Sequence, residues 1–228
     1  MPVATLIIDV QRDFVDPACD SPVSAPEKAF CIPGTKKLVE AAKKSAWRIV
    51  HVNTVYETPD SMPGLHGSQR DTPYCIAGTG GAEQILPGEA DSIDVVKTRY
   101  SAFKETDLTE HLRDVDRLVV SGLAVDCCVS ATLFDAEALD LECFVPFQAV
   151  SASEEAGYVE GLNAISKSTA RIIDLETLVS GRELEDCLVE QSDVRKFARM
   201  WFRDQVSKLG EIGREQPLEK ILGALDVP

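Results

Sequence analysis

Three residues stand where an open α/β sheet presents chemistry, at or just beyond the carboxyl ends of apolar, β-branched runs. Asp9 closes Thr5-Leu6-Ile7-Ile8-Asp9, Lys97 closes Ile93-Asp94-Val95-Val96-Lys97, and Cys128 follows Leu118-Val119-Val120-Ser121 across a tight turn. A carboxylate, an ammonium and a thiol together offer a proton acceptor, a fixed cation and a nucleophile. Cys128 falls in the first turn of an expected helix, where unpaired N–H groups and the positive end of the helix dipole lower a thiol's pKa and supply thiolate near neutral pH. The same amides would receive the oxyanion of a tetrahedral intermediate. Each residue also has a plainer reading. Asp9 suits a helix cap, Lys97 a surface charge, and Cys128 a small buried hydrophobe like its neighbour Cys127.

The elements that must hold these side chains follow from the apolar pattern. Strand-like runs at 4–9, 48–53, 94–96, 117–121, 142–146 and 171–174 alternate with helical patterns at 34–46, 108–113, 128–139 and 154–168. Strands separated by helices predict βαβ units, hence an α/β fold built as a three-layer sandwich around a mostly parallel sheet. Residues 1–180 read as that domain. Residues 181–228 read as a helical C-terminal extension, broken near Pro217 and packed on the domain or at an oligomer contact. Between the second and third strands, the Pro- and Gly-rich segment Glu57–Glu89 is too long to be an incidental connection. Within it, Gly78-Thr79-Gly80-Gly81 lacks the Lys and Ser/Thr of a P-loop and reads as a structural turn.

With 38 acidic against 23 basic side chains and a net charge of −15, the chain is poorly suited to a phosphate backbone or an anionic lipid surface. Neither nucleic acid nor membrane is expected as a partner. No apolar stretch reaches membrane-spanning length and no signal-peptide pattern opens the sequence. Seven cysteines, irregularly spaced and without C-x-x-C, fit reduced thiols and a cytoplasmic location. His51, His66 and His111 are scattered, with no H-E-x-x-H.

Three segments, taken together, resemble the isochorismatase-like cysteine hydrolase family, which includes the nicotinamidases. They are Ile8-Asp9-Val10-Gln11-Arg12-Asp13-Phe14, Lys97-Thr98-Arg99-Tyr100-Ser101-Ala102-Phe103, and Gly122-Leu123-Ala124-Val125-Asp126-Cys127-Cys128-Val129 running into Ala131–Ala136. The resemblance spans residues 1–180 and implies the isochorismatase-like hydrolase fold and hydrolysis of a non-peptide C–N bond by an Asp–Lys–Cys triad. Asp9, Lys97 and Cys128 take those places. Cys128 would attack the carbonyl, Asp9 would carry its proton to the leaving amine, and Lys97 would hold the pair. The resemblance further implies an oxyanion hole from the amides of Ala124 or Val125 and Cys128, with a non-proline cis peptide near Ala124–Val125. The family's usual Thr is here Val125.

The segment Thr72–Glu83 is similar to a nicotinamidase segment whose His helps hold a divalent metal. That position is Tyr74, and the end of the second strand, His51-Val52-Asn53-Thr54-Val55-Tyr56-Glu57, lacks the family's Asp-x-His. Glu57 or His66 alone would be a poor substitute. No metal and no other cofactor is therefore expected. The implied activity is hydrolysis of a small amide, carbamoyl or ureido compound, like that of the family's carbamoylsarcosine, ureidoacrylate and maleamate hydrolases, in a homo-oligomer. A nicotinamidase is the alternative enzyme, and a catalytically silent binding protein of the same fold is the alternative from another class.

Overall fold

A computed structural model describes residues 1–63, 72–86, 88 and 90–225. Strands β1 (Val3–Ile8), β2 (Arg48–Thr54), β3 (Ile93–Lys97), β4 (Arg117–Leu123), β5 (Glu142–Pro146) and β7 (Arg171–Ile173) form a parallel sheet in the order β3-β2-β1-β4-β5-β7. The short β6 (Val150–Ser151) pairs with β4. Each of the six expected strands is present. The near-continuous burial of β1, β2 and β4 explains why those runs are Val-, Ile- and Leu-rich rather than alternating, since helices cover both faces. The edge strand β3, in contrast, leaves Asp94 and Val96 exposed. The order reverses at β1, which pairs with β2 on one side and β4 on the other, and that switch point opens a crevice beyond the strands' carboxyl ends.

The helices are α1 (Arg12–Val15), α2 (Cys31–Lys44), α3 (Leu108–His111), α4 (Cys128–Glu137), α5 (Glu155–Ile165), α6 (Leu175–Val179), α7 (Val194–Ile212) and α8 (Leu218–Leu225). Helix α2 begins before the expected Gly34, because Pro33 sits in its first turn, where a missing N–H breaks no intrahelical bond. The expected break near Pro217 spans residues 213–217, where Gly213, with a φ of 87°, ends α7 and Pro217 leads into α8.

Helix α7 lies along α5, and its aromatic face enters the main core. The ring of Phe202 is centred 5.4 Å from Phe30 and 5.3 Å from Tyr158, with Trp201 also 5.3 Å from Tyr158. Phe202, Leu209, Leu218 and Ile221 belong to the same buried cluster as the sheet residues Leu6, Val50 and Val120. Arg199 and Arg203 pair with Glu155 across the α5–α7 seam. Among the described residues, no helix is long and apolar enough to cross a membrane.

Candidate active site

The chain turns off β1 at Asp9, whose φ of 55° lies in the left-handed region that aspartate tolerates better than most residues. Its N–H donates to the Val52 carbonyl at 2.8 Å, which ties the turn to β2. The carboxylate, 1% exposed, has its two oxygens in different roles. Oδ1 accepts from the Thr54 N–H at 3.0 Å and from Thr54 Oγ1 at 2.8 Å. Oδ2 faces the Lys97 ammonium at 2.8 Å in a buried ion pair.

Lys97 ends β3 and is likewise 1% exposed. Its Nζ donates to Thr54 Oγ1 at 2.8 Å, to the Arg99 carbonyl at 3.1 Å and to Cys128 Sγ at 3.5 Å. Burial alone would push the ammonium's pKa down. The Asp9 carboxylate and Cys128 outweigh it and hold the group charged, above the ordinary lysine range. The surface reading of Lys97 is excluded by this burial.

Thr54 and Gln11 were not singled out by sequence, yet they fix the Asp9–Lys97 geometry. The Gln11 side chain accepts from the Thr54 N–H at 2.8 Å and donates to the Thr54 carbonyl at 2.9 Å, and also to the Ala82 carbonyl at 2.8 Å. The Thr54 hydroxyl thus donates to Asp9 while accepting from Lys97. Gln11 lies inside the first quoted motif, which was a usable signal. Thr54 ends a strand with no neighbour in sequence that hints at its role.

Cys128 opens α4. The preceding turn is held by β6, since Val125 N–H donates to the Ser151 carbonyl at 2.9 Å, and by the Ala124 carbonyl, which accepts from Cys127 at 2.9 Å and Val129 at 3.1 Å. The cis peptide is Leu123–Ala124, one bond earlier than the expected Ala124–Val125. The Val125 amide is thus engaged with β6, which removes one of the expected oxyanion-hole donors. The segment after Lys97 is tied to the same helix: Ala102 N–H donates to Thr132 Oγ1 at 3.0 Å, and Ser101 Oγ to Asp135 at 2.5 Å.

The Cys128 thiol is shifted upward, against the expectation of a lowered pKa. The neighbouring Cys127 side chain, burial and the Asp9 charge outweigh the lowering by Lys97.

A cavity of about 430 Å³ opens over Asp9, Lys97 and Cys128. Phe14, Tyr56, Tyr74 and Tyr100 line it, together with Lys28, Arg99 and Asp126. Tyr74 packs edge-on against Phe14 and Tyr56, at 6.0 Å and 5.8 Å between ring centres. Burial pushes the Tyr56 phenol up to about 12. Neutral, aromatic-packed phenols do not make the carboxylate and imidazole set a divalent metal requires, so these residues do not fit the metal of the similar nicotinamidase segment. Glu57 is exposed, His66 lies outside the described residues, and no cluster of metal-ligating side chains occurs among the described ones. The Gly78–Gly81 stretch is a turn packed on Asp13, where a Cβ at Gly81 would lie 2.2 Å from the carboxylate.

The sequence profile of the Isochorismatase domain matches residues 3–177, and the chain belongs to this family of hydrolases. A protein of Arabidopsis thaliana named a probable inactive nicotinamidase is 31% identical over 60% of this chain and 74% of its own length. An uncharacterized isochorismatase family protein of Bacillus subtilis, PncA, is 29% identical over 74% of this chain and 96% of its own. The crystal structure of an isochorismatase family protein from Desulfovibrio vulgaris is similar with a TM-score of 0.69 and 31% identity, covering 78% of this chain and 96% of that one.

Proposed function

We propose that the protein is a cysteine-dependent hydrolase of a non-peptide C–N bond in a small amide, carbamoyl or ureido compound, working through an acyl-enzyme on Cys128. The observation that carries this reading is the convergence of Asp9, Lys97 and Cys128 beneath one cavity, with the ammonium 2.8 Å from the carboxylate and 3.5 Å from the sulfur.

The substrate carbonyl sits over Cys128 with its oxygen toward the Ala124 and Cys128 amides. As sulfur attacks, Asp9 Oδ2 takes the thiol proton, and the carbonyl oxygen becomes an oxyanion held by the two N–H groups. Collapse expels the nitrogen, which leaves as a neutral amine or ammonia after Asp9 returns the proton. Water, deprotonated by Asp9, then attacks the acyl carbon and the thiol is regenerated. Lys97 remains charged throughout and stabilises the anionic sulfur in both transition states. The upward shift of the Cys128 thiol gives Asp9 its task, which is to receive the proton as sulfur attacks.

The second reading, a fold retained without turnover, is favoured by the Arabidopsis relative named as inactive. Both are tested by an ammonia-release assay over nicotinamide, maleamate, N-carbamoyl amino acids and ureido acids, with and without EDTA. The proposed enzyme releases ammonia from at least one linear compound and is indifferent to chelator. Binding without release favours the silent protein, and loss with EDTA that added metal restores favours a nicotinamidase.

A further inference from the structure

The site holds a second thiol that the hydrolytic steps do not use. Cys127 lines the same cavity as Cys128 and is the more exposed of the two, Cys128 being 9% exposed. The two side chains are near enough to shift one another's ionisation, as the Tyr100 phenol does that of Cys127. Cys127 lies just outside α4, with φ −143° and ψ −103°, so its backbone is not constrained to helical geometry. Four of the other thiols, Cys31, Cys75, Cys143 and Cys187, are buried away from this cavity.

We propose that Cys127 and Cys128 form a reversible redox pair, in which a peroxide oxidises Cys127 and Cys128 then closes a vicinal disulfide that takes the nucleophile out of action. In the first step the Cys127 sulfur attacks the peroxide O–O bond. An S–O bond forms, the O–O bond breaks, and Cys127 sulfenic acid and water are produced from hydrogen peroxide. In the second step the Cys128 sulfur attacks the sulfenic sulfur, giving an S–S bond and a second water as the S–O bond breaks. Asp9 accepts the Cys128 proton and passes it to the departing hydroxyl. Two thiols lose two electrons, and one peroxide gains them.

Access places the first step on Cys127, because oxidation follows exposure and thiolate character. The neighbouring Cys128 side chain shifts the pKa of Cys127 downward from the ordinary thiol value, against the effect of burial. The second step uses the arrangement that aims Cys128 at a carbonyl, turned on a neighbouring sulfur instead. Adjacent residues have Cα atoms about 3.8 Å apart, closer than the roughly 4.4–6.8 Å of an ordinary disulfide. The bridge is therefore strained and readily reduced, as a reversible device requires. The pairing goes beyond the proposed hydrolysis and needs no substrate to test.

The test treats wild type and Cys127→Ser with hydrogen peroxide, blocks remaining thiols with iodoacetamide, and maps peptides by mass. The expected wild-type peptide containing residues 127 and 128 has lost two hydrogen atoms and takes no alkyl group until dithiothreitol is added. In Cys127→Ser that loss is absent, and Cys128 is either alkylated or carries added oxygen. Two free alkylated thiols in the treated wild type, or oxygen added without the two-hydrogen loss, would overturn the proposal. So would a Cys128 disulfide to any other residue.

Discussion

Lys97 is gripped by Asp9, Thr54, the Arg99 carbonyl and Cys128 at once, and each contact narrows where its charge can sit. Such preorganised cations contribute on the order of 100-fold or more to rate. Lys97→Ala should lower kcat by at least about that factor, and steady-state kinetics on the best substrate checks it. Lys97→Arg should rescue poorly, because a planar guanidinium does not fit a pocket shaped for a compact ammonium. Thr54→Val removes the hydroxyl shared by Asp9 and Lys97 while keeping the β-branched shape. Hydrogen bonds to charged groups contribute about 1.5–3 kcal/mol, so kcat should fall roughly 10- to 100-fold with the circular dichroism spectrum unchanged. The raised Cys128 thiol sets the sign of a pH experiment. Its alkylation rate should climb as pH rises through the alkaline range, with no plateau at neutrality. In Lys97→Ala the climb should move to still higher pH, because the one charge that lowers this thiol's pKa is gone.

At the level of elements, β1 and β4 approach so closely at the switch point that Gly122 has no room for a side chain. Its φ is 106°, and a Cβ there would lie 2.0 Å from the Ile8 carbonyl oxygen. Gly122→Ala should destabilise the protein by at least about 2 kcal/mol, read as a lower urea midpoint with an unchanged slope. The central strands were legible in the sequence because parallel strands buried on both faces must be continuous apolar runs. Asp9, Lys97 and Cys128 stood out by their places at or beyond the ends of strand-like runs, but position left the plainer reading of each open, and the likeness of their three segments to the family joined them. β6 was not, since two residues, Val150 and Ser151, carry no period. The support from Gln11 and Thr54 was hidden for a related reason. Gln11 reaches Thr54 across 43 residues and Thr54 reaches Asp9 across 45, and no local pattern records a bond of that separation. The Cys128 shift runs against the helix position because the adjacent Cys127 side chain raises it, and burial and the Asp9 charge, which arrive through the fold, add to that.

Over the whole molecule, the C-terminal helices share the core that supports the sheet. Phe202→Ala should destabilise by about 3–5 kcal/mol, lowering Tm by on the order of 10 °C, and differential scanning calorimetry checks it. The pH dependence of stability carries a further signature. Lys97 has a pKa raised above 10.5 in the folded protein, so its contribution is fully present below the unfolded value and is lost only as pH rises through the folded one. Whether Cys128 carries the acyl group is read by quenching the enzyme in acid during steady turnover of its amide substrate and weighing the peptides. A mass increase equal to the acyl group on the peptide containing Cys128, absent from Cys128→Ala and accompanied by loss of its turnover, is the predicted result. Undiminished turnover by Cys128→Ala, or an acyl group found on another residue, would contradict it.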